Sequence, residues 1–215
     1  MITGGFILLG LMNYWIYSRV RVRRKSAILH IIKRVTAKEL KGKTLDKELR
    51  EVVIERDEII EDRFDKLIRN CEILDFKGSH SMEDVFHRIA EILSKRLDVD
   101  HDFLFQGFME REKQTGTVIH PGLAIPHVIV PGTKKFDVLL VRYKSGLKFS
   151  TSPDLVHTMF VLVGSIDERN YHLRALMAIA QIAQEVDFEK RWLKASNKDA
   201  LRDVVLLSSR KRESN

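Results

Sequence analysis

The chain interleaves strand-like and helix-like segments, and this order constrains its fold more than any other feature. Two runs rich in β-branched and aromatic residues, FDVLLVRY and TMFVLVG, have the length of strands, and a third strand-like run, ILDFKG, precedes them. Helical patterns stand on both sides of the two long runs: MEDVFHRIAEILSKRL after the N-cap residue Ser81, HDFLFQGFMEREK, RNYHLRALMAIAQIAQ, FEKRWLKA and KDALRDVVLL. The sequence therefore predicts an α/β fold in which helices cover a mixed sheet. The segment KSGLKFSTSPDLVH between the two long runs is predicted as a loop with a short strand at its start.

One histidine in the segment from Glu110 to Gly132 stands directly after a proline at the end of an apolar run. Pro126 fixes its own φ angle and biases Ile125 toward an extended conformation. This predicts a strand whose end holds the imidazole of His127 at a defined angle, and such rigidity suits a nucleophile. From the residues alone, however, a lone histidine in an apolar strand is more often a hydrogen-bonded structural residue.

Several motifs together resemble one protein family. The EREK, AIPH and HLRAL motifs, with the strands and helices above, occur from about Ile73 to about Leu207 in the order found in type-2 IIA domains of the bacterial sugar phosphotransferase system, the mannitol, fructose and nitrogen-related class. The resemblance implies the same sandwich fold, no cofactor, and a phosphate carried by His127. It also implies that Arg111 contacts the phosphoryl group and that His172 donates a hydrogen bond to it or orients His127. We therefore expect the two histidine rings within about 10 Å of each other.

The loop before the histidine departs from the family pattern. Family members usually have a glycine-rich turn, roughly TGIGNG, whereas residues 117–122 read TVIHPG, and Val128 follows the histidine in place of glycine. Proline has no N–H, and valine resists the left-handed turns that glycine permits, so fewer backbone donors can approach a phosphate. We expect slow or absent labelling of His127 by the phosphocarrier HPr.

Other chemistries find little support in the sequence. A metal site would combine the histidines at positions 120, 127, 157 and 172, because imidazole is a common zinc ligand, but no acidic or cysteine ligand accompanies them at a recognisable spacing. His120 alternatively lies in a surface turn beside Pro121. Cys71 is the single cysteine, which excludes an internal disulfide. No phosphate-binding loop or dinucleotide fingerprint is present, so neither ATP nor NAD is implied.

The positive charge of the chain is concentrated near its N-terminus. Residues 19–43 hold ten Lys or Arg against one acid, so the net charge of +7 leaves −2 for all other residues, which argues against a nucleic-acid partner. Residues 1–18 are apolar, end in an aromatic cluster and precede these charges, as expected for the cytoplasmic end of a membrane span. This segment also resembles the last membrane helix of amino acid permeases of the APC superfamily. A single-span anchor is the alternative, and residues 19–43 are expected to bind anionic lipid.

The remaining boundaries follow from charge and periodicity. Residues 44–70 alternate charges with apolar residues spaced three and four apart, which predicts one amphipathic linker helix. Its apolar stripe is expected to pack on the following domain, on a transporter or on a second copy in a homodimer; a solvated linker is the alternative. The IIA-like domain is placed at residues 71–207 and a basic tail at residues 208–215.

Two functions follow from these expectations. The preferred one is a cytoplasmic IIA-type regulatory domain of a permease-like membrane transporter, at the inner side of the bacterial membrane, with His127 as a candidate phosphorylation site. The alternative is an active phosphohistidine carrier, a component of a phosphotransferase, that relays phosphate from HPr to a IIB partner.

Overall fold

The computed structural model describes residues 61–212, and their helices and strands alternate as the sequence predicts. The helices are α1 Arg63–Asn70, α2 Met82–Leu97, α3 His101–Thr115, α4 Arg169–Ala183, α5 Phe188–Lys194 and α6 Lys198–Leu206. The strands are β1 Ile73–Phe76, β2 Val118–His120, β3 Leu123–Ala124, β4 His127–Val130, β5 Phe136–Lys148 and β6 Leu155–Ser165. A 3-10 turn at Ile166–Glu168 joins β6 to α4.

The strands form one six-stranded mixed sheet in the order β1-β5-β6-β3-β2, with β4 also paired to β6. Strand β1 is parallel to β5, and β3 and β4 are both parallel to β6. The β5–β6 and β2–β3 pairs are antiparallel. The predicted α/β class with a mixed sheet covered by helices is therefore confirmed.

Two apolar cores lie on opposite faces of the sheet. Alternate residues of β5 face different cores, with Val138 and Leu140 in one and Leu139 and Val141 in the other. This is the period of two that a strand imposes on its side chains. The first core is completed by residues of α1, α4, α5 and α6, and the second by residues of α2 and α3.

The segment between the two long runs begins with strand, as predicted, but its loop is shorter than predicted. Strands β5 and β6 continue to Lys148 and from Leu155, which leaves only residues 149–154 as a connection. Gly146 has a φ of +79°, and the register shifts between Arg142 and Leu147. Glycine tolerates this conformation, so the pairing resumes after an irregularity, and Leu147 is buried again.

A new helix begins at Arg63, so the prediction of one helix through residues 44–70 is wrong at Asp62. Asp62 is extended, with φ −89° and ψ −179°, and its carboxylate accepts the N–H of Asp65 at 2.9 Å. The Asp65 carboxylate accepts the N–H of Asp62 in return, and this capping box begins α1. Phe64 and Ile68 of α1 are buried in the first core, so the fold starts before residue 71. Residues 44–60 lie outside the described residues.

The segment predicted as a basic tail is part of the fold as far as residue 212. The guanidinium of Arg210 is buried and donates to both carboxylate oxygens of Asp62, each at 2.7 Å. It also lies 2.9 Å from the Asp65 carboxylate, to which Arg212 donates from Nε at 2.8 Å. Arg210 and Arg212 thus neutralise two buried carboxylates at the start of α1.

No helix within residues 61–212 is long and apolar enough to cross a membrane. The predicted end of a membrane span, residues 1–18, and the basic segment 19–43 lie outside the described residues.

Candidate functional site

His127 is fixed at an interruption between two short strands on the same side of β6. Strand β3 pairs with Thr158 and Met159, and β4 pairs with the chain from Leu162 onward. Between them, the carbonyl of Pro126 accepts the N–H of Leu162 at 2.9 Å. We predicted His127 at the end of a strand; instead it is the first residue of β4, because the chain leaves regular pairing at Ile125 and resumes after the proline.

This interruption determines which ring nitrogen of His127 is available for chemistry. The carbonyl oxygen of Ile125 lies 2.9 Å from Nδ1 of the ring. A carbonyl oxygen only accepts hydrogen bonds, so Nδ1 carries the hydrogen in the neutral ring and Nε2 keeps its lone pair. The backbone therefore presents Nε2 of a half-buried imidazole as the nucleophilic atom.

Arg111 contacts this same nitrogen from α3. Its Nε–H donates to Nε2 of His127 at 3.1 Å. The helix lies close to β4 because Gly107, one turn before Arg111, has no side chain: a Cβ at this position would lie 2.9 Å from Cγ1 of Val128. Close packing of a glycine against the strand thus brings the guanidinium to the imidazole.

His172 completes the cluster from the first turn of α4. The rings of His127 and His172 have centroids 5.4 Å apart and are arranged edge to face. The ring of Phe136 lies 6.0 Å from that of His172 and 4.8 Å from that of Tyr171, and so supports the start of the helix. The structure therefore brings together all three predicted site residues, and the two histidine rings lie well within the expected 10 Å.

The surroundings favour the neutral form of both imidazoles. Burial lowers the pKa of His127, and the charge of Arg111 lowers it further, against the opposing effect of the hydrogen bond to Ile125. Burial also lowers the pKa of His172, as does the nearby His127. Both rings are thus mainly uncharged at neutral pH, which a nucleophilic nitrogen requires.

The other two histidines of the metal interpretation have different partners. His120 is exposed, and its Nδ1 lies 2.9 Å from the carbonyl oxygen of Pro121. Nδ1 of His157 lies 3.1 Å from the carbonyl oxygen of Tyr143. Within residues 61–212, no three His, Cys, Asp or Glu side chains are grouped as metal ligands would be. Cys71 is buried, and burial raises the pKa of its thiol to about 12.

Sequence reasoning missed the groups that hold His127 in place. The carbonyl of Ile125 carries no side-chain signal, and the close packing of Gly107 is visible only in the fold. Glu112 is fully buried next to Arg111, although it was interpreted only as part of the EREK motif. A signal was available for this residue: it follows Leu104 and Phe108 at helical spacing, which places a carboxylate on the buried stripe of α3.

The fold and the site define an α/β domain that holds a neutral imidazole beside an arginine at an interruption of its sheet. The chain belongs to the family described as "Phosphoenolpyruvate-dependent sugar phosphotransferase system, EIIA 2", whose pattern matches residues 66–207. This confirms the type-2 IIA domain that the motifs predicted.

The relatives of this chain include a sugar-specific component of the phosphotransferase system and a nitrogen regulatory protein. The chain is 26% identical over 129 residues to the fructose-specific EIIABC component of Bacillus subtilis, a match that covers 59% of this chain and 20% of the relative. It is 29% identical over 105 residues to a nitrogen regulatory protein of Bradyrhizobium diazoefficiens, which covers 48% of this chain and 69% of the relative. The chain thus spans only a fifth of the length of the B. subtilis protein.

Solved structures share the fold. The nitrogen regulatory protein IIA-Ntr from Neisseria meningitidis superposes with a TM-score of 0.60 at 20% identity, covering 67% of this chain and 99% of its own. The IIA mannitol domain in its complex with phosphorylated IIB from Escherichia coli superposes with a TM-score of 0.51 at 18% identity, covering 62% of this chain and 93% of its own.

Proposed function

We propose that this domain is a regulatory IIA module in which His127 accepts a phosphoryl group on Nε2. One observation carries the proposal: the Ile125 carbonyl holds the hydrogen on Nδ1 while Arg111 lies at Nε2. An imidazole fixed in this tautomer needs no proton transfer before it attacks phosphorus. The phosphoryl donor that we propose is the histidine-phosphorylated carrier HPr.

The transfer is an exchange of one nitrogen–phosphorus bond for another. The Nε2 lone pair of His127 forms a bond to phosphorus as the bond to the donor nitrogen breaks, and the donor ring keeps that electron pair. Positive charge then develops on the His127 ring, which keeps its hydrogen on Nδ1. The Ile125 carbonyl oxygen stabilises that charge because it accepts this hydrogen at 2.9 Å.

Arg111 and His172 provide the electrostatic part of the site. Phosphoryl transfer proceeds through a loose transition state, so positioning and charge stabilisation supply most of the rate enhancement. Arg111 would turn its N–H groups from Nε2 to the phosphoryl oxygens, which a guanidinium contacts in a fixed planar geometry. We propose that His172, whose ring lies 5.4 Å from that of His127, donates to the same oxygens.

The segment before the histidine supports a regulatory role over fast relay. Strands β2 and β3 pair with each other. The N–H of Ile125 donates to the carbonyl of Thr117 at 2.9 Å. Pro121 contributes no donor. Because these backbone groups are committed to the sheet, we expect phosphate to be accepted slowly.

The alternative is relay of phosphate to a IIB partner, and the E. coli mannitol IIA domain is found in a complex with phosphorylated IIB. A labelling experiment separates the two functions. The domain is incubated with enzyme I, HPr and radiolabelled phosphoenolpyruvate, with His127→Gln as the negative variant and His120→Gln as the matched control. We expect slow, acid-labile labelling that His127→Gln abolishes and His120→Gln retains. Labelling as rapid as that of a sugar-specific IIA domain, followed by transfer to IIB, would favour relay. No label above the His127→Gln background would contradict both functions.

A membrane location is part of the proposal and rests on sequence alone. We propose that residues 1–18 form the end of a membrane span, that residues 19–43 bind anionic lipid, and that the module acts on a permease-like transporter from the cytoplasmic side. Each basic residue near an anionic surface contributes about 1 kcal/mol before screening. Liposome sedimentation tests this: binding should require anionic lipid and weaken at high salt. Equal binding to neutral vesicles would contradict it.

A further inference from the structure

Glu112 is a buried carboxylate that the proposed phosphoryl transfer does not use. It lies on α3 directly after Arg111, and its side chain is fully buried. One carboxylate oxygen accepts the hydroxyl of Thr117 at 2.7 Å, and the other accepts the hydroxyl of Thr151. Burying a carboxylate is costly unless its oxygens are hydrogen-bonded, so these two bonds determine where Thr117 and Thr151 can lie.

The backbone at Gly116 is shaped to permit this arrangement. Gly116 has a φ of +66°, and a Cβ at this position would lie 2.8 Å from the hydroxyl oxygen of Thr151. The N–H of Gly116 donates to the carbonyl of Glu112 at 3.1 Å, and α3 ends there. Glycine is the residue that allows both the left-handed conformation and the close approach, so the end of α3 is built around the carboxylate.

Three hydrogen bonds, linked covalently through Thr117 and Ile125, connect Glu112 to the reactive ring. The carboxylate holds the Thr117 side chain, and the Thr117 carbonyl accepts the N–H of Ile125 at 2.9 Å. The Ile125 carbonyl in turn accepts the Nδ1 hydrogen of His127 at 2.9 Å. Thr151 contacts the same carboxylate but has no described hydrogen bond to Ile125. The two threonines therefore differ in their connection to the histidine.

We propose that Glu112 is a positioning residue for His127: through Thr117 it orients the Ile125 carbonyl, which keeps the hydrogen on Nδ1 and leaves Nε2 unprotonated. The inference deepens the proposed function and rests on it. Its direct readout, the tautomer of the His127 ring, is measured without a phosphate donor. A failure of this inference can thus be told apart from a failure of the phosphoryl-transfer function.

Ring nitrogen NMR of the full chain, labelled with nitrogen-15 in histidine, reports the tautomer directly. The test variants are Glu112→Leu, which removes both acceptors, and Glu112→Gln, which keeps the side chain size and one acceptor oxygen; its NH2 group can donate to the other threonine hydroxyl. We expect Glu112→Leu to raise the population of the Nε2–H tautomer roughly fivefold relative to the Nδ1–H form, which corresponds to about one net hydrogen bond. Labelling by HPr should fall in proportion to the population of the Nδ1–H form, and Glu112→Gln should recover most of both losses.

A matched pair of threonine variants tests the path and remains informative if Glu112→Leu does not fold. Thr117→Val and Thr151→Val each remove one of the two threonine hydroxyls that donate to Glu112, with little change in side-chain shape. Thr117→Ser keeps a hydroxyl at position 117. The proposal requires a clear tautomer shift in Thr117→Val, recovery in Thr117→Ser and a smaller shift in Thr151→Val. Equal spectra for Thr117→Val and wild type, equal effects of the two valine variants, or slower labelling with an unchanged tautomer would each overturn it.

Discussion

Arg111 donates its Nε–H to Nε2 of His127 at a distance of 3.1 Å. This Nε2 is the atom that must attack phosphorus in the proposed reaction. The guanidinium therefore has two tasks in sequence. In the free domain, its charge helps to keep the ring unprotonated. As a phosphoryl group arrives, the same guanidinium must release the nitrogen lone pair and bind oxygen, so both its charge and its geometry matter.

Substitution of Arg111 separates those two tasks. We expect Arg111→Met to slow labelling of His127 by roughly 100-fold, the scale of losing one preorganised donor to a developing charge. It should also raise the pKa of His127, because a cation is removed. Arg111→Lys should keep the low pKa but recover only part of the rate, since an ammonium lacks the planar fork. Equal rates for Lys and Arg would contradict a geometric role; NMR titration and labelling measure the two effects.

The close contact between α3 and β4 should be essential to the site. Gly107→Ala places a methyl group 2.9 Å from Cγ1 of Val128, so we expect a loss of about 1–3 kcal/mol in the free energy of unfolding and slower labelling. Val128→Ala creates space for that methyl group. The double variant should therefore be more stable than the sum of the two single effects, as denaturant unfolding can show. Strict additivity would mean that the two residues do not clash.

The depressed pKa values of the two site histidines predict a dependence of stability on pH. Below about pH 6.5, the unfolded chain binds protons at these positions that the folded chain resists. The free energy of unfolding should therefore fall as pH decreases through and below this value. The variant with both His127→Gln and His172→Gln should show a shallower decrease between pH 7.5 and 5.5. His120→Gln, which removes an exposed imidazole outside the site, is the matched control.

The sequence predicts most of the fold and the side chains of the site, but it does not predict the backbone groups that orient them. The strands FDVLLVRY and TMFVLVG and the helix after Ser81 are visible because composition and capping agree with the final structure. Asp62 and Asp65 have the spacing of a capping box, which would indicate the start of α1. The apolar periodicity continues through Ile59 and Ile60, however, and so predicts one uninterrupted helix. The convergence of Arg111, His127 and His172 followed from the family resemblance. The Ile125 carbonyl, which selects the tautomer, belongs to the backbone and leaves no trace in side-chain pattern.

The ion pairs between α1 and the chain after α6 should stabilise the whole domain. Arg210→Met leaves the buried carboxylate of Asp62 without its two guanidinium bonds, and breaking such a pair typically costs about 3–5 kcal/mol. Ending the chain at residue 209 should have a similar effect. Lys211→Met is the matched control, because that side chain is exposed. If thermal unfolding is unchanged in Arg210→Met, the segment is a tail after all.

The central claim is that the phosphoryl group is carried on Nε2 of His127, and the position of the phosphorus can be measured directly. The full chain, labelled with nitrogen-15 in histidine, is phosphorylated by HPr and observed by phosphorus and nitrogen NMR. We predict a phosphorus–nitrogen coupling to Nε2 of His127, with Nδ1 still carrying its hydrogen and donating to Ile125. A phosphoryl group on Nδ1 of His127, on His172 or on His120 would contradict the account.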